Sequence, residues 1–250
     1  MHLALDIGNT SVTYGLYRKN KLAAFGSCSF IDIPKKINKW ISGGVKSHFY
    51  IIASSVVPDN THYLKKITKR NPKLRLLIAG EDLKIPFRHN YNSGNALGVD
   101  RKVTMFGALQ LYRPPLLVID FGTAITFDYL SPKGVFEGGM IIPGPELAFQ
   151  TLLRRAALLP KKARLPTRRS RFAGRSTSEC LTSGILEGYG AMTDGLVDRF
   201  KRFSGGRIKV IATGGFSRTL KRYARSLKTV NPRLSVHSLH LLFLRSAKAS

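Results

Sequence analysis

The chain has 250 residues, 43% of them hydrophobic, enough for one large domain or two smaller ones with proper cores. Lys and Arg number 41 against 14 Asp and Glu, and the resulting charge of +27, with no recognised nucleic-acid motif beside it, points first to solvated outer faces that would also speed the approach of an anionic substrate. Two cysteines and six scattered histidines argue against a disulfide scaffold and a zinc cluster, and no apolar run approaches the length of a membrane span.

Met1 leads directly into a strand, without the basic, apolar and cleavage regions of a signal peptide, so a cytoplasmic location is expected. In chain order, alternation and turn residues predict strands over 3–5, 11–17 and 22–29, a helix near 34–42, a strand over 49–54, a helix over 60–70 and a strand over 75–78. A helix over 98–112 crosses to a second half, where strands at 116–120, 124–130 and 134–142 precede helices at 145–156 and 178–200 and a strand at 209–212. Three antiparallel strands followed by alternating helices and strands, twice over, predict an α/β duplication with mixed sheets. The halves divide as 1–112 and 113–250, and the basic stretch 160–175 is expected to be a long mobile loop.

The duplication is written most clearly in two stretches, LALDIGNTSVTYGLY from Leu3 and LLVIDFGTAITFDYL from Leu116. Each is an apolar run ending in Asp, then a bulky residue, a Gly with hydroxyls nearby, and a second run rich in β-branched residues: strand, tight turn, strand. The Gly permits a sharp turn and lets a ligand approach bare amides, while Thr10 and Thr123 add hydroxyls at the same spot. One such turn is ordinary; two, roughly 110 residues apart, suggest paired halves facing each other across a cleft. In so basic a chain the acids stand out, and Asp6, Asp100, Asp120 and Asp128 all fall in or beside Gly- and Thr-containing turns, where a cation or a proton must go.

GVDRK places Asp100 and Arg101 at the start of the crossing helix, where the dipole favours anions. Asp100 is either a helix-end acid or the best candidate for a general base on a hydroxyl, and Arg101 could bind a carboxylate or phosphate in bidentate fashion. GGMIIPG (Gly138 to Gly144) is a rigid turn or a substrate contact, ATGGF (Ala212 to Phe216) a glycine-rich strand end, and GRST offers Thr177 as a hydroxyl donor or a helix cap.

In order, DIGNT, ASSVVP, Tyr91 followed by LGVDR, IDFGTAITFD, GGMIIPG, GRST, SGILEGYGAMTDGL and TGG closely resemble type III pantothenate kinases, from the first strand through about Phe216. The resemblance implies the duplicated ribonuclease-H-like, actin-like ATPase fold of the acetate kinase, sugar kinase, Hsp70 and actin superfamily, with both hairpins on the nucleotide phosphates. It implies ATP-dependent phosphorylation of pantothenate to 4'-phosphopantothenate, the first step of coenzyme A synthesis, with a homodimer as the usual assembly. By the same resemblance Asp6, Ile7, Gly8, Asn9, Thr10, Ser11, Val12 and Thr13 form the first phosphate loop, with Asp6 managing Mg²⁺, and Thr123 contacts ATP beside Asp120, the ligand of a monovalent cation, K⁺ or NH₄⁺. Asp100 would accept the proton of the pantothenate hydroxyl, and Tyr91, Gly98, Val99, Arg101 and Thr177 would hold the substrate. The chain departs from the family at NSGNA, where Gly94 stands for a stiffening Pro, and in HSLHLLFLRSAKAS, which matches only loosely. Two other readings stay open: a degenerate kinase fold serving as a regulatory or nucleic-acid-binding protein, and another phosphotransferase of the same superfamily.

Overall fold

A computed structural model describes residues 1–42, 48–93, 96–159, 163, 165–166 and 171–247. The chain divides into two units, Met1–Tyr112 together with Arg233–Ser250, and Arg113–Pro232. Gly94 and half of the 160–175 stretch lie outside the described residues.

The first unit is built around β1 (His2–Ile7), whose side chains are buried except for the half-buried Asp6. A strand buried on both faces must read as a nearly unbroken apolar run, and HLALDI does. β1 pairs antiparallel with β2 (Val12–Arg18), which pairs antiparallel with β3 (Lys21–Cys28). On its other side β1 pairs parallel with β4 (Phe49–Ser55), which pairs with β5 (Leu74–Ile78), giving the order β3-β2-β1-β4-β5. Helix α1 (Ile33–Ser42) buries Ile33 and Ile37, one helical turn apart, and α2 (Pro58–Lys69) buries Leu64. Pro58 opens α2, Asp59 sits in its first turn and Lys66 and Lys69 in its last, an order that suits the helix dipole. These helices share one core with Leu3, Leu5 and Ile7, the odd-numbered face of β1. The even face, represented by Ala4, packs with Tyr17 and Ile52 against α3 (Val99–Leu111) and the closing helix, through Val103, Phe106, Val236, Leu239 and Leu242. Between β5 and α3 lies the short β6 (Arg88–His89).

The second unit repeats the plan. β7 (Leu116–Phe121) is buried except for the half-buried Asp120, the same pattern as β1. It pairs antiparallel with β8 (Ala124–Leu130), β8 with β9 (Val135–Pro143), and β7 pairs parallel with β10 (Lys209–Thr213), which pairs with β11 (Thr229–Val230). The order β9-β8-β7-β10-β11 therefore matches that of the first sheet. Even the irregularities correspond: the register slips between Leu16 and Tyr17 in one sheet and between Tyr129 and Leu130 in the other, the same distance beyond the partner of each Asp. Helices α4 (Pro145–Arg155) and α5 (Thr177–Phe203) cover this sheet through Phe149, Leu153, Leu186, Val197 and Phe200. Ser176 caps α5 by accepting from the Glu179 N–H at 3.2 Å, and the Glu179 carboxylate accepts from the Arg175 N–H at 2.7 Å.

Three expectations need correction. The last segment was assigned to the second half, yet it forms α7 (Leu234–Ser246), and its buried Val236, Leu239 and Leu242 place it in the core of the first unit. The basic run RTLKRYARSLK after Phe216, which reads as a helix face, is helical only over α6 (Ser217–Leu220), and Ala224 and Leu227 reach the core from the turns that follow. Within 160–175, Leu165 is buried in the second core and the Ala163 carbonyl accepts from Gln150 Nε2 at 2.8 Å, so this part is tied down. Among the described residues no helix is long and apolar enough to cross a membrane.

Helix α7 carries a second unforeseen feature. His2 Nε2 and His240 Nδ1 lie 2.8 Å apart, both rings 4% exposed. Tyr17 stacks on them at centroid distances of 5.1 and 4.0 Å, and Phe243 leans on His2 at 4.7 Å. Burial drives both imidazoles toward the neutral form, His2 down to about 3, helped by His240, and His240 down to about 4, helped by His237.

Candidate active site

In the first unit the site grows from the end of β1. Asp6 lies opposite Thr13 on β2 and Ser54 on β4. Side chains alternate along a strand, so Asp6 shares a face with Ala4, the face covered by α3 and α7. Both helices begin there. Asp100, in the first turn of α3, and Ser235, in the first turn of α7, are both near enough to act on the Asp6 carboxyl. Burial, and then repulsion from Asp100, push the Asp6 carboxyl up to about 6, against the lowering pull of Ser235. The Ser54 hydroxyl, fully buried on the neighbouring strand, has no hydrogen-bond partner among the described residues.

Beyond Asp6 the turn spans Gly8, Asn9, Thr10 and Ser11, closed by a bond from the Gly8 N–H to the Ser11 carbonyl at 3.1 Å. Asn9, Thr10 and Ser11 are exposed, while Ile7 and Val12 are buried strand ends that hold the turn in register. At α3, Gly98 is the N-cap and Val99 the first helical residue. Asp100 Oδ1 accepts from the Arg101 N–H at 2.8 Å, as a helix-end acid would, and Arg101 is 9% exposed. Tyr91 is 37% exposed on the segment before that helix.

The second unit builds the counterpart. Asp120 lies opposite Thr126 and Thr213, and the turn after it closes from the Gly122 N–H to the Ala124 carbonyl at 3.2 Å, leaving Thr123 exposed. Each hairpin is anchored alike, the Val56 N–H donating to the Ile7 carbonyl at 3.2 Å and the Phe216 N–H to the Phe121 carbonyl at 3.2 Å. The donors follow ASS and TGG, so those sequences are the braces of the hairpins. Gly214 has φ of 85°, and a Cβ there would collide with the Asp120 carboxylate. Gly144 likewise has no room for a Cβ against the Gly122 and Thr123 carbonyls, and its N–H donates to the Thr123 carbonyl at 2.8 Å. Tyr189 Oη fixes the preceding Pro143 carbonyl at 2.8 Å. GGMIIPG thus ends as a buttress of the second hairpin.

Thr177 opens α5 and lines a groove of about 740 Å³ with Gly174, Arg175, Ser176 and Cys180, none of them hairpin residues. Asp128 is not a site acid: it is 3% exposed in the middle of β8 and accepts from Thr126 Oγ1 at 3.0 Å. Ser54 and Ser235 are the site residues that the sequence did not reveal; a serine in a strand end or a helix first turn carries no distinguishing pattern.

The donor set bears on metal chemistry. Among the described residues no group of three or more His, Cys, Asp and Glu could cage an ion. Mg²⁺ does not need one, since it commonly takes one or two carboxylates and fills its sphere with water and phosphate oxygens. Asp6 beside Asp100 supplies hard oxygens whose mutual repulsion a divalent cation would offset, so the residues fit the ion.

The sequence profile described as type III pantothenate kinase matches residues 2–199. A type III pantothenate kinase of Bacillus cytotoxicus is 30% identical over 260 aligned positions, covering 99% of this chain and 97% of that one. Among solved structures, the activator of 2-hydroxyisocaproyl-CoA dehydratase from Clostridium difficile superimposes with a TM-score of 0.54 at 12% identity, covering 100% of this chain and 97% of that one. MreB5 of Spiroplasma citri does so with a TM-score of 0.51 at 12% identity, covering 99% and 97%. At such identities these structures speak for the fold alone, which is that of the actin-like ATPases and sugar kinases.

Proposed function

The chain belongs to the type III pantothenate kinase family and phosphorylates pantothenate with ATP in coenzyme A biosynthesis; from that premise we propose how its residues divide the work. Asp100 is the general base. Its Oδ1 is occupied by the Arg101 N–H, which orients the carboxyl and leaves Oδ2 to meet a hydroxyl. The primary hydroxyl of pantothenate gives its proton to Asp100 as its oxygen attacks the γ-phosphorus, and the β–γ bridging oxygen leaves with ADP. The observation that carries this assignment is the approach of Asp100 to Asp6 at the convergent starts of α3 and α7.

The turn from Asp6 to Thr13 receives phosphate oxygens on its amides and hydroxyls, and Asp6 holds Mg²⁺ on the nucleotide, an ion that supplies charge neutralisation of the phosphates when bound. Asp120 holds K⁺ or NH₄⁺, with Thr123 on ATP. Arg101 takes the pantothenate carboxylate, and Tyr91, Gly98, Val99 and Thr177 shape the substrate's seat. The protein works in the cytoplasm as a homodimer, the assembly that the family resemblance implies. Replacing Asp100→Asn tests the central role: pantothenate-dependent ATP turnover should fall about a hundredfold or more while ATP affinity and melting temperature hold. A variant turning over near the wild-type rate would reduce Asp100 to a helix-end acid.

A further inference from the structure

Strand β4 ends in two serines with different fates. Ser55 Oγ accepts from the Val57 N–H at 3.2 Å and so closes the turn into α2. Ser54 is 0% exposed, and its hydroxyl has no hydrogen-bond partner among the described residues. Leaving a buried hydroxyl unpaired costs stability, so Ala would serve the fold better if packing were the only task at this position.

The sheet register says what stands beside it. β4 runs parallel to β1 with Ser54 opposite Asp6, and adjacent strands lie about 4.8 Å apart, so the two side chains rise from one face as cross-strand neighbours. Ile52, two residues earlier on that face, packs with Val103 and Phe106 of α3, and α7 also lies against β4. Ser54 is thereby closed to solvent, whereas Asp6 is only half-buried. A ligand at the hairpin reaches Asp6 and not Ser54, so any part Ser54 plays in the reaction runs through Asp6. The second half repeats the arrangement: Thr213, 1% exposed, lies opposite Asp120 on β10. Each hairpin Asp thus has a buried hydroxyl residue beside it on the parallel strand.

We propose that Ser54 is a positioning residue for Asp6: its hydroxyl is the donor that fixes the Asp6 carboxylate when the magnesium nucleotide is bound. The proposal rests on the reading of Asp6 given above. Holding a cation keeps the carboxylate ionised, and an ionised carboxylate is a much stronger acceptor than a neutral one. Serine has one side-chain torsion to set, so forming the bond orders little. Partners behind a metal-holding carboxylate set its orientation, and losing one commonly costs 10–100-fold in metal affinity or activity.

The test uses the full-length protein with Ser54→Ala, Asp6→Asn and the two combined. Three quantities are read for each: the ligand-free melting temperature, the KM for pantothenate, and the calorimetric affinity for a non-hydrolysable ATP analogue with and without Mg²⁺. Ser54→Ala should melt at or above the wild-type temperature, because an unpaired hydroxyl is gone, yet bind the analogue about tenfold more weakly when Mg²⁺ is present. Its affinity without Mg²⁺ and its pantothenate KM should not move, and added to Asp6→Asn it should cost nothing further. An unchanged affinity with Mg²⁺ overturns the proposal. So does a lower ligand-free melting temperature, the mark of a structural partner for the hydroxyl, or a further loss in the double variant. Asp6→Asn separates the two levels of the argument: if it leaves the Mg²⁺-dependent affinity intact, the reading of Asp6 fails and Ser54 falls with it. If Asp6→Asn weakens that affinity and Ser54→Ala does not, only the Ser54 assignment fails.

Discussion

Acid should release the closing helix through the histidine pair. His2 and His240 ionise near 6.5 in an unfolded chain but only near 3 and 4 in the fold, so both are neutral when folded. Their contribution is complete above about pH 6.5 and is lost as the pH falls toward 4, because the unfolded chain then binds two protons that the folded one refuses. The slope is about 1.4 kcal/mol per pH unit for each ring, which amounts by pH 5 to about 2 kcal/mol per histidine and about 4 for the pair. That is a large share of the roughly 5–15 kcal/mol that holds a domain together. Asp6 acts in the opposite direction: its carboxyl is raised to about 6, so its repulsion eases as the pH falls through that value. The comparison must therefore be with a variant that keeps Asp6, and His2→Phe/His240→Phe removes both polar partners while preserving flat rings against Tyr17. Trp40, the single tryptophan, lies on α1 in the same unit and reports its unfolding. Urea midpoints followed by its fluorescence at pH 7.5, 6.5, 5.5 and 5.0 should fall steeply in the wild type and far less in the double variant. Parallel pH profiles for the two proteins would refute the reasoning.

Exchanging Na⁺ for K⁺ or NH₄⁺ should raise the kinase rate, and Asp120→Asn should lose that response before other functions; equal rates in K⁺ and Na⁺ would count against Asp120 as the ligand. Gly144→Ala forces a Cβ against the Gly122 and Thr123 carbonyls, so it should destabilise the second unit by about 1–3 kcal/mol and raise the KM for ATP, both readable from melting curves and initial rates. Binding to duplex DNA should be weak, indifferent to sequence and steeply lost with salt, about 0.9 in log–log slope per neutralised phosphate, and a sequence-selective gel shift at physiological salt would reopen the nucleic-acid reading.

The hairpins were legible because their signals are local. An Asp ending an apolar run, with Gly two residues on, can be read from neighbours in sequence, and the matching registers at Asp6 and Asp120 follow from it. Asp100 was legible for the same reason, as an acid opening a helix. What escaped depends on distance along the chain. His2 and His240 are 238 positions apart, and nothing in either neighbourhood announces the other. Helix α7 buries Leu234, Ser235, Val236, Ser238, Leu239, His240 and Leu242, positions that leave little polar stripe, so it lacks the amphipathic period by which a surface helix is found. Asp128 misled in the other direction, a turn-like sequence signal that belongs to a buried strand because a neighbouring threonine satisfies the carboxylate.

The placement of α7 has a consequence for biogenesis. As the chain emerges from the ribosome, Arg113–Pro232 is available as one continuous stretch, whereas the first unit waits for Arg233 and the residues after it. Until then the face of β1 that carries Ala4 lacks the cover of α7, and His2 lacks the rings of His240 and Phe243. The nascent N-terminal sheet is thus an exposed apolar surface during most of synthesis, and a premature stop anywhere before Leu234 leaves it so. Helix α7 thus completes a sheet whose strands are made before Arg113–Pro232 is translated, so that unit is closed only once α7 has emerged.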